Sequence, residues 1–374
     1  MPRNLKAVST PLRVGLVGCG AISNAYFEGL TTFSKYAKIT ACADLDVECA
    51  RVKAGEHGVA KGYSVKELLD DPEIDAVLNL TIPAAHAALN LRALKAGKHA
   101  YCEKPFSLSY KEGLRVLKEA QSRKLRLGCA PDTVLGGGIQ TCRRLIDEGV
   151  IGKPVAATAN MLCRGHESWH PNPEFYYKKG GGPLFDMGPY YLTSLVTMLG
   201  PVKSVSAMAK TTFKKRLITS QPLHGKKIKV ETPTHLCGIL EFIQGVVATV
   251  TMSFDVWAHH QPMLEIYGTE GSLECPDPNT HGGEVRVWTT KKKEWEKVPL
   301  THSDKIKRGV GLADMAFAMQ KNRPHRMSGE QGLHIVEVME AFHVSARAGR
   351  KIAMKSRCRQ PEAMPSGLAV GEFM

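Results

Sequence analysis

The chain has 374 residues, more than one typical domain holds, so two domains are the natural division. Its 43% hydrophobic and 23% charged residues are those of an ordinary soluble globular protein, and no apolar run reaches the ~20 residues that span a bilayer. The net charge of +14 invites nucleic acid, but the lysines are dispersed, with short runs only at Lys226-Lys227 and Lys291-Lys292-Lys293, and no nucleic-acid module accompanies them.

The stretch from Met1 to Pro11 is polar and basic and is followed by no separate apolar region or cleavage site, so a secretory leader is not expected. Ten cysteines occur without a Cys-x-x-Cys pair, and Cys19, Cys42, Cys102 and Cys129 sit in apolar strand-like contexts. That pattern fits buried reduced thiols, not a disulfide or zinc framework, and cytoplasm is the expected location.

The first strand, Arg13-Val14-Gly15-Leu16-Val17, runs into Gly18-Cys19-Gly20-Ala21-Ile22-Ser23 and then a helical pattern through Leu30. This is the G-x-G-x-x-(small) turn, with Ser23 where a third glycine or alanine is usual. The first glycine permits the turn, the second lets a pyrophosphate approach the backbone, and the helix start offers it N–H groups. A second strand, Lys38 to Ala43, ends in Asp44, near the spacing at which an acidic side chain binds the adenosine ribose. An aspartate repels a 2′-phosphate, so NAD is favoured over NADP, although Arg51 keeps NADP open. Either Asp44 or Asp46 suits an N-cap for the helix from Val47.

Alternation continues through a helix at Lys66–Asp70, a strand at Ala76–Leu80, Thr81-Ile82-Pro83, a helix at Ala84–Ala96 and a strand at Lys98–Cys102. A helix from about Ser109 to Arg123 and a strand at Arg126–Cys129 complete it. The fold class expected is α/β, a doubly wound parallel sheet over residues 1–132. The Lys98–Cys102 strand ends in Glu103-Lys104-Pro105, where the proline forces extended backbone and a turn. Ligands of parallel sheets bind beyond such strand ends, although a lone strand-end lysine is usually just solvated. Asn79-Leu80-Thr81 matches a glycosylation sequon, which a strand end in a cytosolic protein makes irrelevant.

From residue 133 to 374 the texture becomes α+β. A helix at Ile139–Glu148 is followed by strand candidates at Pro154–Cys163, Val202–Phe213, Thr234–Phe242, Val246–Trp257, Met263–Tyr267 and Glu284–Thr289, then helices at Gly311–Gln320 and Gly329–Ala348. The tail from Ser356 is expected to be loosely docked. Within this domain His166-Glu167-Ser168-Trp169-His170 matches His-Glu-x-x-His, but Gly165 and Pro171-Asn172-Pro173 argue against the helix a zinc site needs, so no metal is expected. A loop of His166, Trp169 and His170 reads better as a polyol-binding wall. After Gly180-Gly181-Gly182, a helix from Leu184 would put Asp186 and Tyr190 on one face, equipment for proton transfer to or from an alcohol.

The nucleotide turn, Glu103-Lys104-Pro105 and Asp186-x-Gly188-x-Tyr190 together resemble the Gfo/Idh/MocA oxidoreductase family, over about Leu12 to Ile352. The resemblance implies a Rossmann domain, a C-terminal domain with a large open, mostly antiparallel sheet, and a homodimer or homotetramer formed through that sheet. It implies NAD(P)-dependent hydride transfer at a CH–OH of a sugar, glycoside or cyclitol. Lys104 then hydrogen-bonds the reacting oxygen, Tyr190 is the acid/base with Asp186 positioning it, and Tyr191, His166 and His170 are alternatives for that role. Gly18, Gly20, Ala21, Ile22, Ser23, Asp44, Thr81, Pro83, His86, Glu103 and Lys104 form the cofactor set, and His166, Trp169, His170, Lys104 and Tyr190 the substrate set. Two other functions fit the same sequence: glycoside modification through a 3-keto sugar with tightly held NAD, and a non-catalytic NAD-binding regulator. No membrane or nucleic-acid partner is expected.

Overall fold

A computed structural model describes residues 10–373, so most of the basic N-terminal segment lies outside the described residues. The chain forms two compact units, Met1–Leu135 with Lys305–Leu333 and Pro365–Met374, and Gly136–Asp304 with His334–Met364.

The first unit carries β1 (Leu12–Val17), α1 (Ile22–Thr32), β2 (Ala37–Asp44), α2 (Val47–Glu56), β3 (Lys61–Ser64), α3 (Val65–Asp70), β4 (Ala76–Asn79), α4 (Pro83–Lys95), β5 (His99–Cys102), α5 (Tyr110–Arg123) and β6 (Leu127–Cys129). Its six strands are parallel, in the order β3-β2-β1-β4-β5-β6. The order reverses between β1 and β4, and the crevice beyond such a reversal is where doubly wound sheets bind ligands. Strands buried on both faces read as apolar runs, and Leu12, Val14 and Leu16 are fully buried in β1. Helix starts follow their caps. Asp46 accepts from Glu48 N ahead of α2, Ser64 and Glu67 form a capping box on α3, and Ser109 accepts from Glu112 N ahead of α5.

The second unit opens with α6 (Gly137–Asp147), β7 (Pro154–Leu162), α7 (Gly182–Asp186), α8 (Gly188–Leu199) and β8 (Val202–Lys210). There follow β9 (Lys215–Leu217), β10 (Lys227–Lys229), β11 (His235–Phe242), β12 (Val247–Ser253), β13 (Leu264–Gly268), β14 (Gly271–Cys275), β15 (Val285–Thr289) and β16 (Trp295–Val298). The chain closes with α9 (Val310–Gln320), whose residues belong to the first unit, then α10 (Gly329–Ala348) and β17 (Ile352–Ala353). Nine strands form one sheet, β16-β15-β14-β13-β7-β12-β11-β8-β17, in which only β7 and β12 pair parallel. One face is covered: in β11 Leu236, Leu240 and Phe242 are buried while Ile239 is exposed, and in β12 Ala248, Val250 and Met252 are buried while Val247 is exposed.

Three expectations change. The helix expected from Leu184 is two helices broken at Met187, so Asp186 ends α7 and Tyr190 lies in the first turn of α8; Pro189, with no N–H to donate, falls at the start of the second. Residues 211–232 hold the separate hairpin β9–β10, whose three-residue strands are too short and lysine-rich to show a period. The tail from Ser356 is tied down by side chains: Ser356 N and Gln360 Nε2 donate to Glu337 and to Thr197 O, and Met364 N donates to Gln140 Oε1 at 2.7 Å. Phe373 stacks on Phe33 within the first unit.

Candidate active site

In the first unit the chain leaves β1 through Gly18 at φ +102°, where a Cβ would lie 2.7 Å from the Leu80 carbonyl, so only glycine fits. Around Gly20, by contrast, a Cβ would meet nothing within 4 Å. Open space over this glycine is what a pyrophosphate approaching the backbone requires. Ala21 takes the N-cap place, Ile22 starts α1, and the buried Ser23 turns its hydroxyl back onto Gly20 O at 2.7 Å, which lets a serine stand where glycine or alanine is usual. Cys19 N donates to Asp44 Oδ2 at 2.8 Å, and Asp46, not Asp44, caps α2. Asp44 is thereby anchored at the end of β2 with its carboxylate beside the turn, as a ribose ligand must be. Arg51 lies against Glu48 at 3.4 Å and is exposed.

A second cluster gathers at the ends of β4 and β5. Asn79, fully buried, accepts from Thr81 Oγ1 at 2.6 Å and donates to His86 O and Asn90 Oδ1. Pro83 starts α4. The His86 ring lies 2.7 Å from Pro105 O through Nδ1 and 2.9 Å from Thr81 O through Nε2. Burial pushes this imidazole below its ordinary value, with both carbonyls acting the other way. The ring thus lies between the segments that follow β4 and β5, with one N–H to donate to either carbonyl. The Lys104–Pro105 bond is cis. Glu103 is buried, accepts from Tyr26 Oη and Lys104 N at 2.8 Å each, and lies 3.9 Å from Arg308. Lys104 is half-buried at the end of this run.

Tyr26 carries no sequence signal, and the sequon reading of Asn79 gives it no place in the site. The signal was there for Asn79: a polar residue closing the apolar strand Ala76-Val77-Leu78 has to be bonded once buried.

In the second unit His166 and Asp186 come together, with His166 Nε2 donating to Asp186 Oδ2 at 3.2 Å. The imidazole packs edge-on against Tyr176, Phe254 and Trp169, at ring distances of 4.3, 4.6 and 5.1 Å. Trp169 is 61% exposed, so an aromatic face is presented to solvent beside the pair. His170 packs on Trp169 and Tyr176 and accepts from Asn172 N through Nδ1. Residues 166–170 form a turn, and Glu167 is bonded to Arg216 and Tyr177. Among the described residues no group of three or more His, Cys, Asp and Glu side chains is placed to hold a metal ion. Tyr190 and Tyr191 are both buried in α8, and burial pushes the Tyr191 phenol above its ordinary value.

Residues 12–130 match the oxidoreductase family with an NAD-binding Rossmann fold, and residues 139–274 match the GFO/IDH/MocA C-terminal domain. The chain belongs to the Gfo/Idh/MocA oxidoreductase family. As a member it is an NAD-binding oxidoreductase whose relatives include sugar and cyclitol dehydrogenases. Myo-inositol 2-dehydrogenase of Thermotoga maritima is 25% identical over 264 residues, 70% of this chain and 74% of that protein. Trans-1,2-dihydrobenzene-1,2-diol dehydrogenase of Bos taurus is 26% identical over 291 residues, 77% of this chain and 80% of that one. The fold matches levoglucosan dehydrogenase in complex with NADH and levoglucosan, with a TM-score of 0.78 at 20% identity, covering 91% of this chain and 98% of that one.

Proposed function

We propose that this Gfo/Idh/MocA member transfers hydride between a nicotinamide and a ring CH–OH or C=O of a sugar, glycoside or cyclitol. The observation that carries the reading is the His166–Asp186 pair beside the exposed Trp169, in a chain whose Gly18–Ser23 turn and Asp44 suit NAD. Named relatives act on cyclic polyols and diols, which supports a ring alcohol as substrate. NAD, when bound, accepts the hydride with its two electrons from the carbinol carbon. Lys104 holds the substrate oxygen, and its charge stabilises the alkoxide that develops there. Tyr190 takes the hydroxyl proton, so the carbon leaves as a carbonyl and the proton passes to the protein. Asp186 fixes His166, and His166 and His170 address neighbouring ring hydroxyls while Trp169 stacks on the ring.

A second assignment has one observation in its favour. Asp186 is bonded to His166, which gives the imidazole the carboxylate partner of a general base. In that assignment His166, not Tyr190, takes the proton.

The test is absorbance at the NADH band while monosaccharides, glycosides and inositols are offered with NAD or NADP. NADH formation with one ring alcohol supports the reading. Product without net NADH would point to glycoside modification through a 3-keto sugar, and tight cofactor binding with no turnover across the panel to a regulator. We place the enzyme in the cytoplasm, supported by ten cysteines without a disulfide among the described residues and by the absence there of any helix long and apolar enough to cross a membrane. We also propose a homodimer or homotetramer through the open sheet face, where Met208 is 81% and Ile239 51% exposed; light scattering reads the mass.

A further inference from the structure

The segment that carries His166 is held by a residue far from it in sequence. Arg216 is the inward-facing residue of β9, between the exposed Lys215 and Leu217, and it is 3% exposed. Its guanidinium donates through Nη1 to Glu167 Oε1 at 2.7 Å and Arg164 O at 2.9 Å, and through Nη2 to Phe254 O at 2.8 Å and to Asp255 Oδ1. Glu167 accepts in turn from Tyr177 Oη, and that same oxygen accepts from His166 N at 3.3 Å. The next turn of the hairpin closes the other side: Thr219 N and Ser220 N donate to Glu167 O, and Ser220 Oγ donates to His170 O at 2.6 Å. Phe254, whose carbonyl Arg216 holds, is also a ring against which the His166 imidazole packs.

The arrangement fixes both walls of the imidazole, the 164–170 loop and the end of β12, through one planar fork. A guanidinium suits this task because its donors have fixed directions, whereas a lysine ammonium is a single point. Removing it would leave the carboxylates of Glu167 and Asp255 buried, with only Arg164 at 3.4 Å from Glu167 to balance them.

We propose that Arg216 is a positioning residue for the His166–Asp186 pair, acting through Glu167 and the Phe254–Asp255 turn, so that the β9–β10 hairpin sets where the substrate-facing imidazole stands. The inference rests on the reading that His166 addresses the substrate. The titratable groups nearest His166 are Asp186 from α7, Tyr176 from the 174–177 turn and His170 from its own loop, with Glu167, Arg164, Tyr177, Arg216 and Asp255 further out.

The test follows the His166 ring signal by NMR in histidine-labelled protein, identified by its loss in His166→Asn, together with steady-state kinetics and NADH binding. In Arg216→Met and in Glu167→Gln the fork that holds the 164–170 loop is broken, so the His166 ring signal moves away from its wild-type position. In both variants kcat/KM falls by about 10–100-fold while NADH affinity stays at the wild-type value, and Arg216→Lys recovers part of the loss. A merely structural bridge lowers the melting temperature while the ring signal and kcat/KM stay at their wild-type values. If Arg216→Met does not fold, Glu167→Gln and Arg216→Lys decide the matter. A folded variant with either the His166 ring signal or kcat/KM at the wild-type value overturns the inference. Wild-type values of both kcat and KM in His166→Asn would instead overturn the reading beneath it.

Discussion

The amide of Cys19 donates to the carboxylate of Asp44 at 2.8 Å, so the residue that closes β2 is locked to the nucleotide turn. A fixed carboxylate accepts ribose hydroxyls and repels a 2′-phosphate. Asp44→Ala should raise KM for NAD about tenfold and raise the relative use of NADP. The ratio of kcat/KM for the two cofactors measures this, and an unchanged ratio would remove Asp44 from cofactor choice.

Two glycines of that turn should fail in different ways. Gly18→Ala forces a side chain into a positive φ and against the Leu80 carbonyl, so it should cost about 1–3 kcal/mol of stability. Gly20→Ala meets no atom within 4 Å and should melt as the wild type does, while NADH affinity falls. Melting curves and NADH fluorescence titrations separate the two. Equal melting temperatures for both variants would contradict the account.

Acid should weaken the second unit through His334. This residue is buried, accepts from Val202 N at 3.0 Å through Nε2, and is pushed by burial from the ordinary 6.5 to about 4. The unfolded chain therefore takes up a proton near the ordinary value while the folded one does not. The resulting stability is present above that value and is lost as pH falls from 6.5 through about 4. His99 in the first unit is shifted the same way, so His334→Gln should make the acid loss shallower without abolishing it. Urea unfolding across this window measures the slope, and an unchanged slope would exclude His334.

Tyr190→Phe and His166→Asn divide the proton route. If Tyr190 takes the proton, its removal should lower kcat by about 10²–10⁴-fold. His166→Asn should then act mainly on KM. The reverse pattern would transfer the acid/base role to His166.

Much of the first unit was legible because parallel strands advertise themselves as apolar runs and because turn chemistry fixes Gly18, Gly20 and Ser23 at set offsets. The buried cluster of Asn79 and His86 was less so, since a buried polar side chain is recognisable in sequence only once its burial is known. The pairing of Asp186 with His166 joins residues twenty apart, across a loop and a 3₁₀ turn whose path no periodicity reports. The helix break at Met187 turned on Pro189, which was visible as a breaker but not as to where the break would fall. Arg216 was hidden most deeply, in a lysine-rich stretch whose sequence looks solvated, because what distinguishes it from Lys215 is only the direction it faces in β9.

The central claim is that Lys104, at the end of β5 and before the cis Pro105, holds the oxygen that loses its proton as hydride leaves. The most direct measurement is the rate of NADH formation by Lys104→Met on the preferred ring alcohol, alongside its NADH dissociation constant. The account predicts a loss of at least about 10³-fold in turnover with cofactor affinity within about twofold of the wild type. A Lys104→Met enzyme that turns over near the wild-type rate would contradict it.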